Sequence, residues 1–524
     1  MKVADRIRIA LWPILTLLCV TCCSAQASLP KGIDEYVERA REVFEVPGIG
    51  LAIVKDGRVL LAKGYGVRNL EETPAVDSKT LFGIASNTKA FTATALALLV
   101  EEGKLEWDAP VIRYLPWFQL SDPYVTRELT VRDLLVHRSG LGLGAGDLLW
   151  WPPTTYDRKE ISRGLRYLPF AASFRGAYAY DNVLYTVAGE VIEAVSGFSW
   201  EDFVASRILA KVGMNGSNVR HSDAGSGGNV ATPHASIEGK VRPVNPFSSD
   251  NTNPAGGINS NAEDMAKWMI VQLDSGRVSD GTSLFTPRAT GQLWQLVTPM
   301  PIGTPPAELR ALRPNFMGYA LGFDVLDYGG KKMVTHTGGL PGYLSRVAMI
   351  PDLKLGVVVL TNQESSEAYN AVIYRILDHY LGISGTDWIQ AFQTVRTRND
   401  SLLEVRTQKT LTARDSTSHP SLPLVKYAGT YSDAWYGDIL ITMERGGLVI
   451  GFSKTPSLIG DLTHWQYDTF VARWRDRELR ADAYVTFSLN PDGTIEQAKM
   501  RAVSPATDFS FDFHHLLLKP KPQK

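Results

Sequence analysis

Ser86 and Lys89 are the residues of this chain whose types and spacing most directly suggest covalent chemistry. They bound the segment Ser86-Asn87-Thr88-Lys89, and residues three apart share one helix face, so the amine can reach the hydroxyl. The start of a helix adds the positive end of its dipole beside them. A hydroxyl with a neighbouring amine is a nucleophile with its activator, provided that the amine can lose its proton. The residues that follow, Ala90 to Val100, carry no charge before Glu101 and Glu102, and Gly103 supplies a stop. A helix apolar on every face is buried in a large domain. Lys89 therefore lies near low dielectric, where desolvation and neighbouring positive groups favour the neutral amine. A second Ser-x-x-Lys match, Ser28 to Lys31, contains Pro30 and has no apolar helix behind it.

Other segments offer complementary chemistry. Tyr180-Asp181-Asn182 precedes a helical pattern starting near Val183. A phenol close to Lys89 would have its anion favoured and could pass a proton between Ser86 and a leaving group; the same three residues alone also read as a capping turn. His336-Thr337-Gly338-Gly339 closes a strand pattern before Leu340-Pro341-Gly342-Tyr343. Glycines at a strand edge let a substrate backbone approach and leave an amide free for a developing oxyanion, although a tight turn explains them too. Trp150 and Trp151, followed by Pro152 and Pro153, either line an acyl or leaving-group pocket or pack their own region. His137 reads as a hydrogen-bonded structural histidine.

The elements that must position these groups alternate between sheet and helix. Ile33, Tyr36, Val37, Ala40 and Val43 fit an amphipathic helix. Gly50 to Val54 and Val59 to Ala62 flank Asp56-Gly57, a hairpin signal that begins an antiparallel sheet. Helical and loop patterns, including Thr130 to His137 and Val183 to Val195, fill the chain from Leu105 to about Gln295. Strand patterns return at Ala320 to Val325, Lys332 to His336, Ser345 to Ile350 and Gly356 to Leu360, before a helix from Glu367 to Leu381. The expected class is therefore α+β, with a helical insert interrupting an antiparallel sheet and a cleft at their boundary. Residues 389–424 read as a linker of helix and loop between a domain over 28–388 and a small all-β, barrel-like domain over 425–524. In that domain Trp465, Phe470, Trp474 and Phe487 are expected in the core.

Lys2, Arg6 and Arg8, an apolar run from Ile9 to Val20, and Ala25-Gln26-Ala27 form a secretory signal with cleavage expected after Ala27. Export to the periplasm or medium follows, with a retained anchor or a lipoprotein at Cys22 or Cys23 as alternatives. All three cysteines fall in this segment, so the mature chain has no disulfide or thiolate chemistry. Its formal charge becomes about −3 on loss of residues 1–27, and no basic stretch suggests nucleic acid. Neither a Gly-x-Ser-x-Gly elbow nor a His-Glu-x-x-His helix is present, so the α/β-hydrolase and zinc-hydrolase patterns are not met.

Taken in order, Ser86-Asn87-Thr88-Lys89, Tyr180-Asp181-Asn182 and His336-Thr337-Gly338 resemble the motifs of the penicillin-recognising serine hydrolases. That family includes class C β-lactamases, DD-peptidases, D-aminopeptidases and esterases. Leu134 to Leu141 and Pro254-Ala255-Gly256-Gly257 resemble its connecting segments, and the likeness runs from about Ile33 to Leu381. It implies a β-lactamase/transpeptidase-like fold with an accessory C-terminal domain. By this resemblance Ser86 is acylated, Lys89 and Tyr180 transfer protons, and Asn182 binds substrate or Lys89. His336, Thr337 and Gly338 contact substrate, and the amides of Ser86 and Gly339 form the oxyanion hole. No metal or organic cofactor is implied, and the partner is a small molecule or short peptide.

His336 departs from the lysine usual in the β-lactamases of the family. An ordinary histidine is mostly neutral at pH 7, so strong β-lactam turnover is not expected, and the pattern is closer to D-amino-acid peptidases, amidases or esterases. Protonation of His336 below neutral pH would then strengthen binding of a substrate carboxylate. His336 could alternatively serve as the base for Ser86. A further alternative is a penicillin-binding sensor that is acylated but turns over poorly.

Overall fold

The computed structural model describes residues 28–225 and 228–522. The expected signal segment and the three cysteines lie outside the described residues.

Helix α1 (Ile33–Val43) leads into strands β1 (Gly48–Lys55) and β2 (Arg58–Gly66). Their turn uses positive φ at Asp56 (51°) and Gly57 (73°), the combination that matches the twist of a two-residue hairpin. The principal helices that follow are α2 (Thr88–Glu101), α3 (Val183–Ser196) and α4 (Ala262–Leu273), separated by short helical turns and loops. Next come β3 (Thr298–Pro299), β4 (Met317–Tyr319), β5 (Asp324–Tyr328), β6 (Lys331–Leu340), β7 (Tyr343–Ile350) and β8 (Leu355–Thr361), then α5 (Ser366–Leu381). The eight strands form one sheet in the order β2-β1-β8-β7-β6-β5-β4-β3, antiparallel throughout.

Burial on both faces explains the near-continuous apolar runs of the central strands. Ile49, Leu51 and Ile53 of β1, with Leu355, Val357 and Val359 of β8, pack with α1 and α5 in one core. Ala52 and Val54, with Val358 and Leu360, face the second core, which holds α2, α3 and α4. The distant halves of the sheet meet where β1 pairs β8, Gly50 opposite Leu360.

Two local expectations are corrected. Ala320 to Val325 is not one strand: β4 ends at Tyr319, a turn covers 320–323, and β5 starts at Asp324. Gly322 in that turn has φ 80°, and a β-carbon there would stand 2.7 Å from the Lys89 carbonyl oxygen, so close approach to α2 requires the turn. Thr130 to His137 forms only a 3-10 turn over Arg132–Leu135, ended by His137 at φ 55°.

Helix α6 (Trp388–Thr412) connects to a closed eight-stranded barrel. The barrel strands are β9 (Gly429–Asp433), β10 (Gly437–Glu444), β11 (Gly447–Phe452), β12 (Ile459–Gln466), β13 (Thr469–Trp474), β14 (Ala483–Leu489), β15 (Ile495–Ala502) and β16 (Leu517–Pro520). Phe470, Trp474 and Phe487 are buried. Trp465 is not core: it is half-buried on the outer side, with the Arg414 guanidinium 4.9 Å from its ring.

Candidate active site

Ser86 sits in a 3-10 turn, Ala85–Asn87, that runs directly into α2. Ala85 has φ 49°, a conformation that non-glycine residues rarely adopt and that clusters at functional sites. The turn is held from both sides. Asn87 Nδ2 donates to Ser345 Oγ at 2.8 Å, and Ser345 Oγ donates to the Ile84 carbonyl at 2.7 Å. On the other side the amide of Ile258 donates to Thr88 Oγ1 at 3.1 Å. Residues Thr88 to Leu99 of α2 are all buried, whereas Ser86 keeps partial access to solvent.

Lys89 is fully buried. Its Nζ lies 2.9 Å from Ser86 Oγ, 2.8 Å from Asn182 Oδ1 and 2.8 Å from the Ala255 carbonyl oxygen. Burial pulls its pKa down to about 7, against the opposing charges of Asp147 and Asp181. A neutral amine has two N–H bonds and one lone pair. Asn182 Oδ1 and the Ala255 oxygen can only accept, so they take the two N–H bonds and leave the lone pair facing the Ser86 hydroxyl.

Tyr180 faces Ser86, and that hydrogen bond lowers its pKa less than burial raises it; the phenol stays well above its ordinary value. This corrects the expectation of a favoured phenolate. Burial dominates, and the Lys89 amine 5.0 Å from the ring centre is itself half-neutral near pH 7. Tyr180 is therefore a neutral donor. Asn182 stands at the N-terminus of α3 without capping it by its side chain. Its Oδ1 serves Lys89 and its Nδ2 donates to Asp147 Oδ2 at 2.9 Å, so Lys89 rather than a substrate occupies it.

The β6 segment His336-Thr337-Gly338-Gly339 lies against the Ser86 turn. A β-carbon on Gly338 would stand 2.1 Å from the Ile84 oxygen, so only glycine lets the strand come this close. Strand β5 stops pairing at Thr335, which leaves the rest of that β6 edge open. Leu340 and Tyr343 flank a two-residue turn, and the alternation of an antiparallel ladder then directs the Gly339 N–H away from β7, to the open edge. Thr337 is exposed beside it.

His336 is buried between two partners. Nδ1 lies 2.5 Å from the Thr337 carbonyl oxygen, which can only accept, so Nδ1 carries the proton and Nε2 accepts from the Tyr319 hydroxyl 2.7 Å away. Burial, with the Lys89 charge, pushes its pKa down to about 3. The expected gain of a carboxylate-binding charge below neutral pH is therefore corrected. With both nitrogens engaged, His336 has none free to act as the base for Ser86. His137 is buried too, and its Nδ1 accepts from the Asp181 amide at 3.1 Å.

Trp150 and Trp151 separate in role. Trp151 lines a cavity of about 700 Å³ together with Gly339, Leu340, Leu344, Phe247 and Phe511. Trp150 does not line it; its indole Nε1 donates to Asp147 Oδ1 at 2.9 Å. The far wall of the cavity, including Leu479, Arg480 and Phe511, comes from the barrel domain. Arg480 bridges to Glu364 of the sheet domain at 2.5 and 2.7 Å.

Sequence reasoning missed Asp147, Tyr319, Ser510 and Asp512. Asp147 is fully buried, and its Oδ2 also accepts from Ser510 Oγ at 2.8 Å. Asp512 Oδ2 accepts from the Gly146 amide at 2.7 Å. The glycine-rich approach Gly142-Leu143-Gly144-Ala145-Gly146 was the one local signal: a β-carbon on Gly144 would meet the Phe509 ring at 2.8 Å. Asp512, His514 and His515 bring three possible metal-ligating atoms within 4.8 Å of one another, but Asp512 is already engaged by His515 Nδ1 and Gly146.

The Beta-lactamase family profile matches residues 33–381, and a domain of unknown function, DUF3471, matches residues 413–520. The chain is 29% identical over 488 residues to "Unguisins hydrolase ungD'" of Aspergillus campestris (strain IBT 28561), covering 89% of this chain and 88% of that one. Its fold is similar to the octameric penicillin-binding protein homologue from Pyrococcus abyssi, with TM-score 0.58, 22% identity and coverage of 93% and 99%. It is also similar to the D-amino acid amidase from Ochrobactrum anthropi SV3 complexed with L-phenylalanine, with TM-score 0.55, 20% identity and coverage of 66% and 98%. With the Ser86-Lys89 pair at hydrogen-bonding distance and two thirds of its length matched, this chain belongs to the Beta-lactamase family and is a β-lactamase-like serine hydrolase carrying an additional closed barrel.

Proposed function

We propose that this protein is an exported hydrolase that cleaves amide or ester bonds of small or short-peptide substrates through an acyl-enzyme on Ser86. The observation that carries the reading is the lone pair of Lys89, left facing Ser86 Oγ at 2.9 Å by two carbonyl acceptors. Neutral Lys89 takes the hydroxyl proton as Ser86 Oγ bonds to the substrate carbonyl carbon. The amides of Ser86 and Gly339 receive the oxyanion, a contribution of about 3 kcal/mol in comparable sites. Tyr180, a neutral phenol beside Ser86, donates a proton to the leaving nitrogen or oxygen and recovers one from Lys89. Water then attacks the ester, its proton returns along the same groups, and Ser86 is restored.

A D-amino-acid peptidase or amidase, or an esterase, fits better than an efficient β-lactamase. Neutral His336 stands where a lysine would hold a carboxylate, and a neighbour of the same fold is a D-amino acid amidase. The cavity beside Gly339, with Trp151, Phe247 and Leu344 in its wall together with charged residues such as Glu364 and Arg480, has room for a bulky acyl substituent.

Intact-protein mass spectrometry tests this with p-nitrophenyl acetate, nitrocefin, and L- and D-amino-acid anilides. A transient single acyl adduct on Ser86 with multiple turnovers, absent in Ser86→Ala, is expected. A stable adduct without turnover would instead identify a penicillin-binding sensor. Export is tested by the mature N-terminus, expected at Ser28.

A further inference from the structure

The barrel does more than cover the cavity, because it reaches Lys89 through an unbroken chain of hydrogen bonds. Ser510 Oγ donates to Asp147 Oδ2 at 2.8 Å, Asn182 Nδ2 donates to the same oxygen at 2.9 Å, and Asn182 Oδ1 accepts from Lys89 at 2.8 Å. Ser510 and Asp147 are both buried, and Ser510 does not line the cavity. Building on the proposed acyl-enzyme mechanism, we propose that Ser510 of the barrel is a positioning residue for the catalytic amine: it keeps Asp147 an acceptor, which fixes the Asn182 amide with its oxygen toward Lys89.

The orientation of that amide decides where the lone pair of Lys89 goes. With oxygen toward Lys89, Asn182 accepts an N–H and the lone pair faces Ser86. With the amide turned over, its NH2 would donate to the lone pair and compete with the Ser86 hydroxyl. Asp147 prevents this only while its Oδ2 accepts. A proton on Oδ2 would oppose the Asn182 N–H and favour the turned amide.

Asp147 is poised for such a change. It is buried, the carboxylates of Asp512 and Asp181 face it, and Trp150, Asn182 and Ser510 supply its three donors. Lys89 in turn is faced by Asp147, Asp181, His137 and His336, with the Tyr180 and Tyr185 rings about it. Burial already holds the Asp147 pKa at about 7. Losing the Ser510 donor raises it further, since that hydrogen bond favours the carboxylate.

The test is the acylation rate of the full chain by p-nitrophenyl acetate between pH 5 and 9, for Ser510→Ala, Ser510→Thr, Asp147→Asn and the double variant Asp147→Asn/Ser510→Ala. Ser510→Ala is expected to acylate about tenfold more slowly at pH 7 with KM unchanged, as a misdirected base would. Its acid limb is expected to move to higher pH by about one unit, and Ser510→Thr to restore both. In the Asp147→Asn background, Ser510→Ala is expected to add no further loss, the signature of two residues acting in one chain. An unchanged limb in Ser510→Ala, or additive losses in the double variant, overturns the relay while leaving acylation of Ser86 intact. Absence of wild-type acylation would refute the mechanism itself. Should Ser510→Ala not fold, the Asp147→Asn single variant decides: an acid limb matching wild type overturns the proposal.

Discussion

The Tyr319 hydroxyl and His336 Nε2 lie 2.7 Å apart, both side chains buried. This contact, with Thr337 accepting at Nδ1, makes His336 a neutral structural link between β4 and β6 across the floor of the cleft. Substrates bearing a carboxylate should therefore gain nothing over neutral esters between pH 8 and 5 on account of this residue. The ratio of kcat/KM for matched charged and neutral esters is expected to stay flat there, and a steep rise near pH 6.5 would contradict it.

Acid sensitivity is assigned to Lys89 instead. Burial lowers this amine to about 7, so it is protonated below that pH and able to accept the Ser86 proton above it. For a neutral ester, kcat/KM should rise at least about tenfold per pH unit below pH 7, more steeply where Asp147, also held at about 7, must lose its proton too, and level off above it. A titration showing full activity at pH 5 would exclude Lys89 as the base.

Gly338 sets how near the open edge of β6 comes to the nucleophile. In Gly338→Ala the new methyl meets the Ile84 oxygen at 2.1 Å and Ser345 Oγ at 2.5 Å, both rigid neighbours, so the strand must move away from Ser86. A displacement of about 1 Å is expected to lower kcat roughly 100-fold, with a loss in stability of about 2 kcal/mol from overpacking. Steady-state kinetics and chemical denaturation check the two.

The two adjacent tryptophans should give different kinetic signatures. Trp151 stacks on Phe247 at 5.3 Å and lines the cavity, so Trp151→Phe should change KM and acyl preference by several-fold, about 1 kcal/mol, with kcat preserved. Trp150→Phe removes a donor to Asp147 and should lower kcat while leaving acyl preference unchanged. A panel of esters of increasing acyl length separates the outcomes.

The groups with local signatures were legible in the sequence: Ser86 and Lys89 share a helix face within four residues, and Asp56-Gly57 dictates its own hairpin turn. The continuous apolar runs of Gly50 to Val54 and Gly356 to Leu360 announced strands, because burial on both faces leaves no polar alternation; the strands themselves extend over Gly48–Lys55 and Leu355–Thr361. The Ala320 to Val325 segment misled for the same reason, since a buried turn is as apolar as a buried strand.

What the sequence alone determined about this protein is the order of its reactive segments and the strand or helix character of those with a strong period. Tertiary structure decided the charge states of His336 and Tyr180. The neutrality of the one and the phenol form of the other follow from burial among residues distant in the chain, whereas the lowered pKa of Lys89 was already signalled by the apolar helix that follows it. Tertiary structure also decided that Ser510, 363 residues from Asp147, stands behind the nucleophile, because that contact depends on how two separately patterned domains pack.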